Sequence, residues 1–172
     1  MIILDVNTTE EPDYDLIEKK LITIGTKTDG NIKIWHIKDY DCERGMLKDF
    51  LEWFISNGDE KIVGFNILKF DIPLLLLKSQ SVDKTKELYQ RFFKSDVIDL
   101  FGILTYLYNK MKSLEEWCKY FDIDYKGKLK HPCITSEKLV FGTKNLIDHQ
   151  DEIEYQKREL IAIDKLYRKV IN

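Results

Sequence analysis
At 172 residues, with 44% hydrophobic and 33% charged side chains and only 8 Gly and 3 Pro, the chain has the make-up of a folded globular protein and fits one domain over 1–172. Its formal net charge of -3 excludes a protein that coats nucleic acid through bulk positive charge, though a local basic groove stays open. Cys42, Cys118 and Cys133 lack CxxC spacing, which argues against a disulfide framework or a zinc site, and the lack of a leader pattern or bilayer-length apolar run predicts a soluble, intracellular (cytoplasmic) chain without membrane contact.

In chain order, Ile2-Ile3-Leu4-Asp5-Val6 reads as a nearly continuous apolar strand carrying one acid. A polar, acidic loop over Thr8–Asp15 follows, placed to pass over a site. Leu21–Thr26 and Ile32–Ile37 are strands joined by the hairpin turn Thr28-Asp29-Gly30-Asn31. Met46–Ser56 is an amphipathic helix with Leu47, Phe50, Leu51, Phe54 and Ile55 on one face, ended by Asn57-Gly58-Asp59.

Ile62-Val63-Gly64-Phe65 is apolar on both faces and therefore predicts a central strand. Asn66 turns the chain, and a helix opens at Phe70-Asp71-Ile72-Pro73 with Asp71 expected at the N-cap and Pro73 in the first turn. Ser79–Lys86 is a polar connection, Leu88–Phe93 a helix, Val97–Leu100 a strand and Phe101–Met111 a helix. Ser113-Leu114-Glu115-Glu116 is a capping box for a helix ending near Phe121. Tyr125 to Pro132 is a basic loop with one aromatic residue, and a final helix spans roughly Ile147–Val170. The pattern predicts a mixed-sheet α/β domain.

An acid inside an apolar strand is costly unless it is paired or used, so Asp5 reads as a site residue. If the two apolar strands are adjacent, Asp5 lies near the strand–turn–helix step at Asp71. Tyr155 and Glu159, at i and i+4, are about 40° apart around a helix and share a face. Asp164 falls nearly opposite Tyr155 and is expected at the surface. Taken singly, Tyr155 reads as a core aromatic and Glu159 as a solvated acid. Converging carboxylates repel unless cations sit between them, and a pair of Mg²⁺ ions with oxygen ligands serves phosphodiester cleavage. Asp99 reads as a strand-end cap. His36 and His131 have no metal-like spacing. The loop Lys126–Lys130, with Tyr125 for base stacking, reads as a solvated turn or as the lining of a groove for phosphates.

Ile3-Leu4-Asp5-Val6-Asn7-Thr8, Val63 to Pro73 and Tyr155-Gln156-Lys157-Arg158-Glu159 occur in the order of three exonuclease motifs. In this the chain resembles the DEDD 3′–5′ exonucleases of the tyrosine subtype, and in particular the proofreading domain of family B DNA polymerases. The Tyr155 register is preferred to one built on His149 and Glu154, because the residues after Glu159 continue the family's closing helix. The resemblance implies a ribonuclease H-like fold, three antiparallel strands followed by two parallel ones, flanked by helices. It implies Asp5, Asp71, Tyr155 and Glu159 as catalytic residues, with Asp5, Asn7, Asp71 and Glu159 around two Mg²⁺ or Mn²⁺ ions. Asn66 and Phe70 would frame the substrate end; Tyr125, Lys126 and Lys128 are candidates to follow the strand from the composition of their own loop, not from the resemblance.

Two positions depart from the family. Asn7 stands where a second acid is expected and offers only a neutral carbonyl oxygen, and Glu159 stands for aspartate, one methylene longer. Both departures imply weakened metal binding and rate. The implied function is cleavage of single-stranded 3′ ends, DNA ahead of RNA. The competing reading is a catalytically impaired binding or interaction module of a replication or repair assembly, with a polymerase or another replication protein as partner.

Overall fold
The computed structural model describes residues 1–9, 15–16, 18–58, 61–127 and 149–171. Five strands form one sheet: β1 (Ile2–Thr8), β2 (Leu21–Thr28), β3 (Asn31–His36), β4 (Lys61–Gly64) and β5 (Asp96–Asp99), in the order β3-β2-β1-β4-β5. β1 pairs antiparallel with β2, and β2 with β3, while β1–β4 and β4–β5 are parallel. Helices α1 (Glu43–Ser56), α2 (Asp71–Ser79), α3 (Thr85–Phe93), α4 (Leu100–Tyr108), α5 (Leu114–Tyr120) and α6 (His149–Ile171) flank it. This is the ribonuclease H-like α/β arrangement expected from the sequence.

The period-two alternation of β1 divides the interior. Ile2, Leu4 and Val6 join one apolar cluster with residues of α1, α2 and α3, whereas Ile3 joins a second with residues of α4, α5 and α6. Asp5 and Asn7 therefore share the face of Ile3, toward α6. On β2 their register partners are Gly25 and Thr23, and Lys27 lies opposite Ile3. A helix laid over this face meets a polar row at the centre of the sheet.

The chain between strands follows local chemistry. Thr28 pairs with Asn31 across the hairpin, and Gly30 takes the positive φ of 94° that the turn needs. The Ser113–Glu116 capping box forms as read. The expected connection Ser79–Lys86 is shorter than its polarity suggested: a 3-10 turn covers Gln80–Val82 and α3 already begins at Thr85. Asp99 caps α4 through Phe101 and Gly102 N–H, as expected of a strand-end acid. It also accepts the N–H groups of Asn66 and Leu68, so one buried carboxylate holds the left-handed turn at Asn66 (φ 63°) against the start of α4.

Two readings are corrected here. Asp71 does not cap α2: Phe70 occupies the N-cap, and the Asp71 carboxylate leaves its own helix to accept Val6 N–H at 2.7 Å. Asp164 is no surface acid, being 7% exposed and bound to Lys27 at 2.5 Å and Arg168 at 2.9 Å. By helical angle it does fall opposite Tyr155, on the flank of the buried stripe that meets β2 through Lys27.

Asp99→Ala strips four N–H groups of their acceptor, which should cost about 2–4 kcal/mol and lower the melting temperature by roughly 5–10 °C. An unchanged thermal melt would show that the Asn66 turn holds without it.

Candidate active site
Three elements bring the polar residues together. β1 presents Asp5 and Asn7, the first residue of α2 presents Asp71, and one turn of α6 presents Tyr155, Gln156 and Glu159. Asn7 Nδ2 donates to Glu159 Oε2 at 2.9 Å and to Gln156 Oε1 at 2.8 Å. Gln156 Nε2 donates to Asp5 Oδ2 at 2.6 Å, and Thr23 Oγ1 donates to Gln156 Oε1 at 2.5 Å. The Tyr155 hydroxyl donates to Glu159 Oε1 at 2.5 Å, the i, i+4 pairing that a shared helix face requires.

Gln156 is the residue that the sequence reading missed. It is fully buried and links Asp5, Asn7 and Thr23. The signal was available: Gln156 falls in the stripe of Leu160, Ile163 and Tyr167, the side of α6 that is buried. β2 makes room for it with Gly25, where a Cβ would come within 2.7 Å of Gln156 Cγ.

Like charges crowd this cleft. Burial first, and then the charge of Asp5, hold the Asp71 carboxyl well above the usual carboxylate range, against the lowering effect of the Val6 N–H. Burial and Asp5 likewise push Glu159 up to about 8, opposed by the donors on Tyr155 and Asn7. Burial and the neighbouring Glu159 raise the Tyr155 and Tyr125 hydroxyls, so both keep their protons at neutral pH. A set of acids that resists ionisation in isolation is one that a cation would relieve.

Asp5, Asp71 and Glu159 supply carboxylate oxygens, the ligand type a hard divalent ion takes, although as they stand they are not a group whose ligand atoms all lie within 4.8 Å of one another. Asn7 is turned otherwise than expected, with its amide nitrogen, not its carbonyl oxygen, toward Glu159. Asn66 and Phe70 stand between β4 and α2, both half-buried, Phe70 directly before Asp71. Tyr125 shares a hydrogen bond with Tyr155, and Lys126 lies beside it, exposed. Lys128 lies outside the described residues, as do His131 and Cys133.

Among the described residues one group of potential ligands has metal-ligand spacing: His36, Asp39 and His149 offer ligand atoms within 4.8 Å of one another. The hydrogen bonds of His36 oppose that use. Its Nδ1 accepts Lys38 N–H, which puts the ring proton on Nε2, and Nε2 faces Glu152. Neither ring nitrogen keeps a free lone pair, so this buried histidine reads as a structural tie between β3 and the start of α6.

No protein-family model and no curated protein matches this sequence. Solved structures do match the fold. The family B DNA polymerase from the hyperthermophilic archaeon Pyrobaculum calidifontis superposes with a TM-score of 0.69 at 17% identity, covering 99% of this chain and 24% of the polymerase. A product-bound exonuclease I superposes with a TM-score of 0.60 at 10% identity, covering 98% of this chain and 42% of that protein. The chain thus spans less than half of either protein, and at these identities the likeness establishes a shared fold and nothing finer.

The raised carboxyl of Glu159 sets a pH dependence. Between its unfolded value of 4.5 and its folded value of about 8, the folded chain keeps a proton that the unfolded chain has released, so raising the pH favours unfolding. The metal-free melting temperature should fall from about pH 5 to about pH 8, and Glu159→Gln should flatten that slope. A melting temperature that rises over the interval would contradict the assignment.

Proposed function
We propose that this chain is a single 3′–5′ exonuclease-like domain that hydrolyses phosphodiesters at the 3′ ends of single-stranded nucleic acid, DNA ahead of RNA. The observation that carries this reading is the meeting of Asp5, Asp71 and Glu159 where β1, α2 and α6 converge, in a fold shared with a protein named exonuclease I. Asp5, Asp71 and Glu159 would hold Mg²⁺ or Mn²⁺, with Asp5 central because both other acids sense its charge. When bound, the ions supply an activated water and stabilise charge on the leaving 3′ oxygen.

The protein's own groups do the positioning. Tyr155 keeps its proton at neutral pH, so its hydroxyl orients the Glu159 carboxylate as a donor and does not act as a base. Glu159 must release its own proton before it can serve as a ligand. Asn66 and Phe70 frame the terminal nucleotide, Phe70 offering a ring for stacking. Tyr125, Lys126 and Lys128 guide the strand behind it.

A second reading rests on the amides. Gln156 Nε2 occupies Asp5 Oδ2, and Asn7 Nδ2 occupies Glu159 Oε2, so neutral donors already satisfy part of the charge that ions would neutralise. A site arranged in this way suits slow cleavage, or retention of nucleic-acid ends without cleavage beside a polymerase or another replication or repair protein.

Degradation of 3′-labelled and 5′-labelled oligonucleotides with Mg²⁺ and with Mn²⁺ decides between the two. The exonuclease reading expects slow loss from the 3′ end that Asp5→Ala abolishes. Asn7→Glu combined with Glu159→Asp should restore ligand charge and reach and raise the rate about tenfold or more. If the double variant folds and binds metal yet cleaves nothing, the binding reading prevails.

A further inference from the structure
Beside the acidic cleft lies a cavity of about 200 Å³ lined by Asp124, Tyr125, Lys126, Arg158 and Ile161. Arg158 sits on α6 three residues past Tyr155 and one before Glu159, so the helix that supplies the cleft also supplies this wall. Its Nε is buried and has no hydrogen-bond partner among the described residues. Neighbouring cations are held by closer partners, Lys157 by Glu154 at 2.6 Å and Lys27 and Arg168 by Asp164, whereas Arg158 acts on Glu154 through charge alone. A guanidinium nitrogen buried without an acceptor is costly, and a ligand oxygen would complete it.

We infer that Arg158, with Lys126, forms a phosphate-holding subsite for the strand on the 5′ side of the cleaved end. The inference rests on the exonuclease-like reading of the neighbouring cleft and adds to it a residue that positions substrate. Several observations favour an anion of this class. Two cations, one forked and one flexible, face one small cavity in a chain whose net charge is -3. The guanidinium fork matches phosphate oxygens, while exposed Lys126 adds a point charge. Asp124, also in the wall, is exposed and opposes an anion, an opposition that solvent screens and that the two cations outweigh. Tyr125 joins the two sites, because its ring lines the cavity while its hydroxyl shares a hydrogen bond with Tyr155, which in turn binds Glu159. Backbone contacts of this kind set register on the strand without reading its sequence.

The test is binding of a fluorescent single-stranded oligonucleotide to the full chain without metal, over a range of salt. Arg158→Gln should weaken affinity about fivefold or more and reduce the slope of log K against log salt by about 0.7, the share of one lost phosphate contact. Lys157→Gln removes the same charge one residue away and should leave affinity within about twofold, and Arg158→Lys should recover part of the loss. The melting temperature of Arg158→Gln should hold, since among the described residues the side chain makes no hydrogen bond through Nε. Equal losses in Arg158→Gln and Lys157→Gln would reduce the effect to bulk charge and overturn the subsite. So would a mononucleotide that binds as tightly as the oligonucleotide and loses as much on Arg158→Gln, since that assigns the cavity to the released product. If Arg158→Gln binds like the unmodified chain while Asp5→Ala abolishes cleavage, the subsite falls and the exonuclease reading stands. If the unmodified chain neither binds nor cleaves, both fall.

Discussion
The open edge of β1 is the constraint on which the site depends. β1 and β4 pair only at Ile2–Ile62 and Ile3–Val63, after which β4 ends at Gly64 while β1 continues to Thr8. From there the β4-facing edge of β1 has no strand beside it, and a buried N–H without an acceptor is expensive. Asp71 answers this by accepting Val6 N–H at 2.7 Å. The bond pins the start of α2 to the centre of the sheet and holds a 3%-exposed carboxylate beside Asp5. Backbone satisfaction and assembly of the acidic cleft are one event.

Once the acids are in place, their repulsion has to be managed. The chain does this with amides and a phenol. Gln156 and Asn7 donate to Asp5 and Glu159, and Tyr155 donates to the other oxygen of Glu159. Each donor is neutral, so it lowers the cost of a carboxylate without cancelling its charge. Strand and helix are thereby locked together: Gln156 reaches both β1 and β2, through Asp5 and Thr23. A polar network this well satisfied makes α6 a rigid wall for whatever occupies the cleft.

Much of this was legible before any coordinates. Period-two alternation, the Asp29-Gly30 turn and the Ser113–Glu116 box are local signals, and they gave the strands, the hairpin and the start of α5. Partners distant in sequence were harder to read. Asp71 looked like a cap because Asp before an apolar run usually is one, and only the short β4 reveals the Val6 N–H that claims it. Helical angles put Asp164 opposite Tyr155 but cannot say that Lys27 of β2 meets it on that flank. Gln156 was passed over because a polar residue in an apolar stripe reads as noise until Asp5, Asn7 and Thr23 are seen around it. The gathering of His36 with Glu152 joins elements far apart in the chain and leaves no spacing to find.

Gly25 carries a consequence for how the molecule tolerates change. The missing side chain opposite Asp5 is what lets Gln156 lie against β2, so the thickness of the gap between helix and sheet is fixed at one point, from behind the cleft. Position 25 works like a shim under a mounted part. Any larger residue there would meet the Gln156 side chain first and push it off Asp5, Asn7 and Thr23, while the apolar anchors Leu160, Ile163 and Leu166 stayed seated. The fold would survive such a change and the alignment would not, which places a determinant of the cleft on a strand that contributes no ionisable group to it.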